Sequence, residues 1–242
     1  MLEALSVLGV RSYLPQILKT QVDFLLFRPA KPDLDRHFAA YLAYIVIVTL
    51  TVGVGRYWDH LDAEPWQYFG LGSVAYIFVL SAFLYLILLP LKPKNWSYRT
   101  VLVFVGLTSL PALLYAVPVE RFFTLTIAQS LNAWFLVAVA ACRVALYIRF
   151  LRGVAGFSGT VIAVALLLPL SAILVVLSFL NLEHAVFEIM AGNPGTPGTP
   201  GDQAYFVVLF LSIFAYITFP ITLALYRYHV YRGFKHATRT DT

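Results

Sequence analysis

QYFGLGSVAYIFVLSAFLYLILLPL, residues Gln67–Leu91, contains no charged side chain and ends directly before Lys92, Lys94 and Arg99. About 20 mostly apolar residues let an α-helix cross roughly 30 Å of hydrocarbon. Backbone polar groups in lipid need internal partners, and this run lacks the alternating polarity of a membrane-barrel strand, so it reads as a helix. Five further runs read the same way: Phe38–Gly55, Val101–Val117, Ala128–Phe150, Phe157–Leu180 and Ala204–Tyr226. The predicted fold is all-α, a polytopic transmembrane helical bundle of six spans with an N-terminal amphipathic interfacial helix.

Composition agrees. Of 242 residues, 60% are hydrophobic and 12% charged, with a mean hydropathy of +0.80. A soluble domain carries about 25% charged residues, so this chain could not cover a water-facing surface of its own size. The net charge is +5, but the cations flank the apolar runs, which points to orientation in a bilayer and away from nucleic acid. The single cysteine, Cys142, lies inside an apolar run and reads as a small packing residue. Met1–Val10 lacks the basic start of a secretory signal, so the first span is expected to act as its own insertion signal.

The loops give the orientation. Arg11, Lys19, Arg28, Lys31 and Arg36 share one side with Lys92, Lys94 and Arg99, with Arg149 and Arg152, and with Arg227, Arg232, Lys235 and Arg239. The opposite side holds only Arg56 and Arg121, beside Asp59, Asp62, Glu64, Glu120, Glu183, Glu188 and Asp202. Short-loop cation bias places both termini in the cytoplasm, and the expected location is a bacterial inner (plasma) membrane. Tyr57, Trp58 and Trp66 at one face and Trp96, Tyr98, Tyr226, Tyr228 and Tyr231 at the other mark the headgroup levels.

Residues Met1–Pro32 form a separate cytoplasmic segment, Asp33–Tyr231 the membrane domain and Arg232–Thr242 a cytoplasmic tail. Between Pro15 and Phe27, Leu14, Ile17, Leu18, Val22, Leu25 and Leu26 share one helical face, and Gln16, Lys19, Thr20 and Asp23 the other. This pattern fits an amphipathic helix on the cytoplasmic interface or one packed on the protein itself. Asp33 or Asp35 is expected to cap the first span. The uncharged Gly-Thr-Pro repeat at 191–201 cannot build a core and reads as an outer loop.

Few residues suggest chemistry. Arg143 is the one charge placed deep inside a span, Arg149 lying at the inner end of the same run; the Arg143 stem could snorkel to the inner headgroups or its head could meet a lipid headgroup or substrate anion. No Asp or Glu falls within these spans, which disfavours a proton-driven carrier. Pro111, Pro169 and Pro220 interrupt spans. Ser109-Leu110-Pro111 and Thr218-Phe219-Pro220 sit in the third span of each three-span half, a pairing seen in inverted-repeat transporters, or else a pair of packing kinks. His60, Asp62 and Glu64, and Glu183, His184 and Glu188, read as solvated loop residues, and no metal site is assigned. Gly153, Gly156 and Gly159, with Ala141 and Ala145, would allow close helix contact. No nucleophile elbow, phosphate loop or dinucleotide motif is present, so neither a catalytic residue nor a cofactor is assigned.

The segment Leu25-Leu26-Phe27-Arg28-Pro29, the proline-broken Phe104–Ala112 and the polar-aromatic Asn132-Ala133-Trp134-Phe135 together resemble the Yip1-domain family of small multi-span membrane proteins. The likeness covers roughly residues 25–180; the family usually has five spans, and this chain has a sixth. The resemblance implies a role in membrane trafficking or organisation and transfers no functional residue. The expected function is that of a non-enzymatic integral membrane protein that organises or binds membrane partners, with a small-solute transporter or channel as the alternative. Expected partners are the lipid bilayer, anionic lipid at the cytoplasmic face, and a protein partner or a second copy of the chain; nucleic acid is not expected.

Overall fold

The structure, a computed structural model, describes residues 10–29, 32–58, 64–180 and 201–240. All regular structure among them is helical. Six helices are long and apolar enough to cross a membrane: Leu34–Tyr57, Leu71–Leu91, Tyr98–Ala116, Thr126–Gly153, Thr160–Phe179 and Phe210–Arg232. This is the all-α, six-span class, that of a multi-pass membrane protein. Large apolar side chains face outward along these helices, among them Val79, Trp134, Phe179 and Phe210, as lipid-facing surfaces require. The sequence readings on His60, Asp62, Glu183, His184, Glu188 and most of the Gly-Thr-Pro repeat fall outside the described residues.

The chain divides into two compact units. The first contains α1 (Val10–Leu25), α2 (Leu34–Tyr57), the short α3 (Pro65–Tyr68) and most of α4 (Leu71–Leu88). It also contains α5 (Tyr98–Leu107) with the 3₁₀ turn Leu110–Ala116, and residues 135–150 of α6 (Leu125–Gly153). The Asp33 carboxylate accepts the Arg36 N–H at 3.3 Å, capping α2. Ser97 caps α5 by accepting the Thr100 N–H at 3.1 Å.

The third span runs alongside the first in the same direction. Arg99 lies over the Phe38 ring at 5.0 Å, and the Thr49 hydroxyl bonds the Ser109 hydroxyl at 3.4 Å. A Cβ at Gly106 would meet Ile45 at 2.5 Å, and one at Gly55 would meet Ala116 at 2.8 Å. The partner offsets (99 − 38, 106 − 45, 109 − 49, 116 − 55) are 61, 61, 60 and 61, so the register holds along the whole contact. At Gly106 only hydrogen fits, which lets the two backbones close up.

α1 packs on this pair. Ile17 and Gln21 are almost fully buried, Thr20 bonds the Tyr41 hydroxyl at 3.0 Å, and Phe24 meets Phe104 edge-on at 5.7 Å. Leu14, Leu18, Val22 and Leu26 stay exposed. The sequence put Leu14, Ile17, Leu18, Val22, Leu25 and Leu26 on one face; the structure turns Ile17 and Gln21 inward and leaves a separate apolar ridge. The ring of Tyr13 lies tilted by 35° against that of His37, 3.7 Å between centres, where α2 kinks.

The second unit holds residues 86–94, 119–134 and 151 onward. Its centre is the packing of α7 (Thr160–Phe179) on α8 (Gly201–Thr240). The Tyr226 hydroxyl donates to the Ile87 carbonyl at 2.8 Å, and Thr160 bonds the His229 ring at 3.2 Å. Lys94 N–H donates to the Ala155 carbonyl at 2.9 Å. Gly156 and Gly159 lie in the loop before α7 with φ of +70° and +56°. They serve there as left-handed turn residues, and α6 ends at Gly153 before them.

Candidate functional site at the break in the third span

Proline sets up the site. Pro111 has no N–H, so the Leu107 carbonyl four residues earlier loses its helical partner. The chain also tightens into a 3₁₀ turn: Ser109 N–H donates to Gly106 and Ala112 N–H to Ser109. That shift leaves the Thr108 carbonyl without the Ala112 N–H it would have in an α-helix. Two consecutive carbonyls, mid-span, therefore need donors from elsewhere.

They receive them from distant parts of the chain. Gln21 of α1 donates its side-chain amide to the Leu107 carbonyl at 3.0 Å, and Arg143 donates its Nε–H to the Thr108 carbonyl at 3.1 Å. The Thr108 hydroxyl turns back to Val105, and Ser109 is held by Thr49. The sequence candidates Arg143, Pro111 and Ser109 thus meet at one place. Pro220 and Thr218 lie in the other unit and belong to a different arrangement.

Arg143 does not reach toward Arg149. Helical side chains lean toward the helix N-terminus, and Arg143 engages Thr108, the eleventh residue of the third span counted from Tyr98. It lies ten residues, about 15 Å, from the Gly153 end of α6.

Sequence reasoning placed Arg56 in a loop just beyond Gly55. The first span instead continues to Tyr57 and holds Arg56 in its last turn. Its guanidinium carbon sits 5.0 Å over the Tyr115 ring, and its Nε is buried with no hydrogen-bond partner. Arg143 is within electrostatic range of Arg56, and Tyr115 of both; Tyr76 is near Arg56 and Tyr115. Among the described residues no carboxylate pairs with either arginine. At the same end of the span, the Trp58 indole donates to Ala116 at 3.2 Å and the Tyr68 hydroxyl to Trp58 at 2.8 Å. These bonds tie the aromatic belt to the frame. The result is two cations within electrostatic range of the Tyr115 ring and one buried N–H without a hydrogen-bond partner.

Compared with known proteins, the chain matches no family model, no curated protein and no solved structure.

Proposed function

We propose that the protein is a non-enzymatic integral membrane protein that works by binding, holding a negatively charged partner at Arg56 and Arg143. One observation supports this: two guanidinium groups within electrostatic range of each other in the membrane-spanning segments, with no carboxylate paired to either among the described residues. A charged side chain at the bilayer centre costs about 2.5–3.5 kcal/mol on insertion scales, a cost that falls on the mid-span Arg143. Arg56, nearer the headgroups, adds a like charge, and a bound anion offsets the repulsion. The role is to organise or recruit membrane partners, in keeping with the Yip1-like motifs. The cation bias of the loops supports N-in, C-in placement in a bacterial inner membrane, where the basic loops would add contacts to anionic lipid.

Lipid retention tests the reading. Purified wild-type protein is expected to retain an anionic molecule that Arg56→Gln loses, measured by native mass spectrometry of both. Retention of neutral lipid alone by the wild type would overturn it.

The break at Pro111 favours a second reading, a transporter or channel for a small anion, because broken spans are where transporters commonly hold their substrates. Proteoliposomes then show anion flux that Arg143→Lys alters. Absence of flux over a broad anion panel removes this second reading and leaves the first.

A further inference from the structure

Resting on the anion-binding reading, we propose that Arg56 and Arg143 hold the phosphomonoester headgroup of a membrane lipid. Three features converge on that class. The first is charge: two guanidinium groups match a dianion, and a phosphomonoester carries about −1.5 to −2 near neutrality, whereas a phosphodiester carries one charge. The second is geometry. The guanidinium carbon of Arg56 lies 5.0 Å from the centre of the Tyr115 ring, and its buried Nε–H has no hydrogen-bond partner. A guanidinium edge offering Nε–H and a terminal N–H is the fork that binds two phosphate oxygens at once. Arg143 has its Nε–H committed to Thr108, which fixes the head and leaves its terminal N–H groups for a third oxygen.

The third feature is position. Arg56 lies in the last turn of the first span, next to Tyr57 and Trp58, at the level where headgroups begin. Tyr76, near Arg56, is 49% exposed on the outer surface of α4. A lipid can therefore approach from the side with its acyl chains still in the bilayer.

The experiment uses the full chain in nanodiscs of phosphatidylcholine doped with phosphatidate (a monoester) or, at equal mole fraction, phosphatidylglycerol (a diester). Bound lipid is counted by native mass spectrometry. Phosphatidate is expected to bind about tenfold tighter than phosphatidylglycerol, with the preference growing as pH rises through about 6, where the monoester loses its second proton. Arg56→Gln leaves the Thr108 contact intact and is expected to weaken phosphatidate binding at least about tenfold, the loss of one charged hydrogen-bonding partner. Arg143→Lys keeps a charge at the break and is expected to weaken it less. Equal binding of the two lipids, at all pH values and abolished by Arg56→Gln, would overturn the monoester assignment while keeping anion binding. Displacement of phosphatidate by glycerol phosphate at matched concentration would overturn the lipid source. No dependence on either arginine would overturn the site altogether.

Discussion

The third span and the last helix each place a hydroxyl residue two positions before a proline, yet the proline breaks one and not the other. At Pro111 the α-helix stops and a 3₁₀ turn takes over, with Gln21, Thr49 and Arg143 reaching in from three other segments. At Pro220 the helix Gly201–Thr240 runs on. There the hydroxyls are used within the helix: Thr218 bonds the Phe214 carbonyl at 3.0 Å, and Thr222 the Thr218 carbonyl at 2.9 Å. Proline thus sets the need for donors, and the neighbours decide whether the backbone departs from the helix. Where tertiary donors are built in, the break becomes a polar site; where only local hydroxyls are available, the helix continues.

The largest expected effect tests the packing that holds the break in place. Gly106 lies one residue before the first freed carbonyl, and a Cβ there would stand 2.5 Å from the Ile45 Cβ. Gly106→Val is expected to destabilise by about 1–3 kcal/mol or more through overpacking, read as the midpoint of detergent or denaturant unfolding. A loss well below 1 kcal/mol would mean that the first and third spans can separate freely, and the donors from α2 and α6 would not be held in register.

Next is the donor from α1. Gln21→Leu leaves the Leu107 carbonyl unsatisfied and is expected to cost about 1–3 kcal/mol, within the range of polar deletions in membrane proteins only if other groups cannot take over. Pairing it with Pro111→Ala sharpens the point. An alanine at 111 restores an N–H that can serve Leu107, so the cost of Gln21→Leu should fall by about half or more in that background. Additive effects would show that Gln21 packs α1 without serving the break.

These two residues also show what could be read from the chain alone. The six spans were legible because length and apolarity report directly on the bilayer, and an aspartate cap, at Asp33 or Asp35, because Asp, Ser and Thr satisfy free N–H groups at helix starts; the structure uses Asp33. Pro111, Ser109 and Arg143 stood out as chemically unusual within apolar runs. Gln21 did not, since a glutamine on an amphipathic helix ordinarily faces water, and only its partner 86 residues away turns it inward. Arg56 escaped because apolarity fades at Gly55 while the helix persists to Tyr57: hydropathy locates the membrane, whereas backbone bonding sets where a helix ends. A proline nevertheless names the carbonyl it orphans, four residues back, and that carbonyl asks for a donor.

The smallest expected effect separates the two prolines by sign. In the last helix, Pro220→Ala returns an N–H to a helix that already follows its course, so the Tyr216 carbonyl regains its partner. The gain should be near the average of an intramembrane hydrogen bond, about 0.6 kcal/mol. In the third span, Pro111→Ala offers an N–H to the Leu107 carbonyl, which Gln21 already serves. The 3₁₀ segment is fixed by Ala112, which is buried, and by Ala116 against Gly55 and Trp58. Alanine loses the proline's preset φ there and is expected to destabilise by about 0.4–1 kcal/mol. Unfolding midpoints of the two variants should therefore move in opposite directions. Shifts of the same sign and size would mean that the two prolines do the same work, and the distinction between a break supported by distant donors and a kink absorbed within one helix would fail.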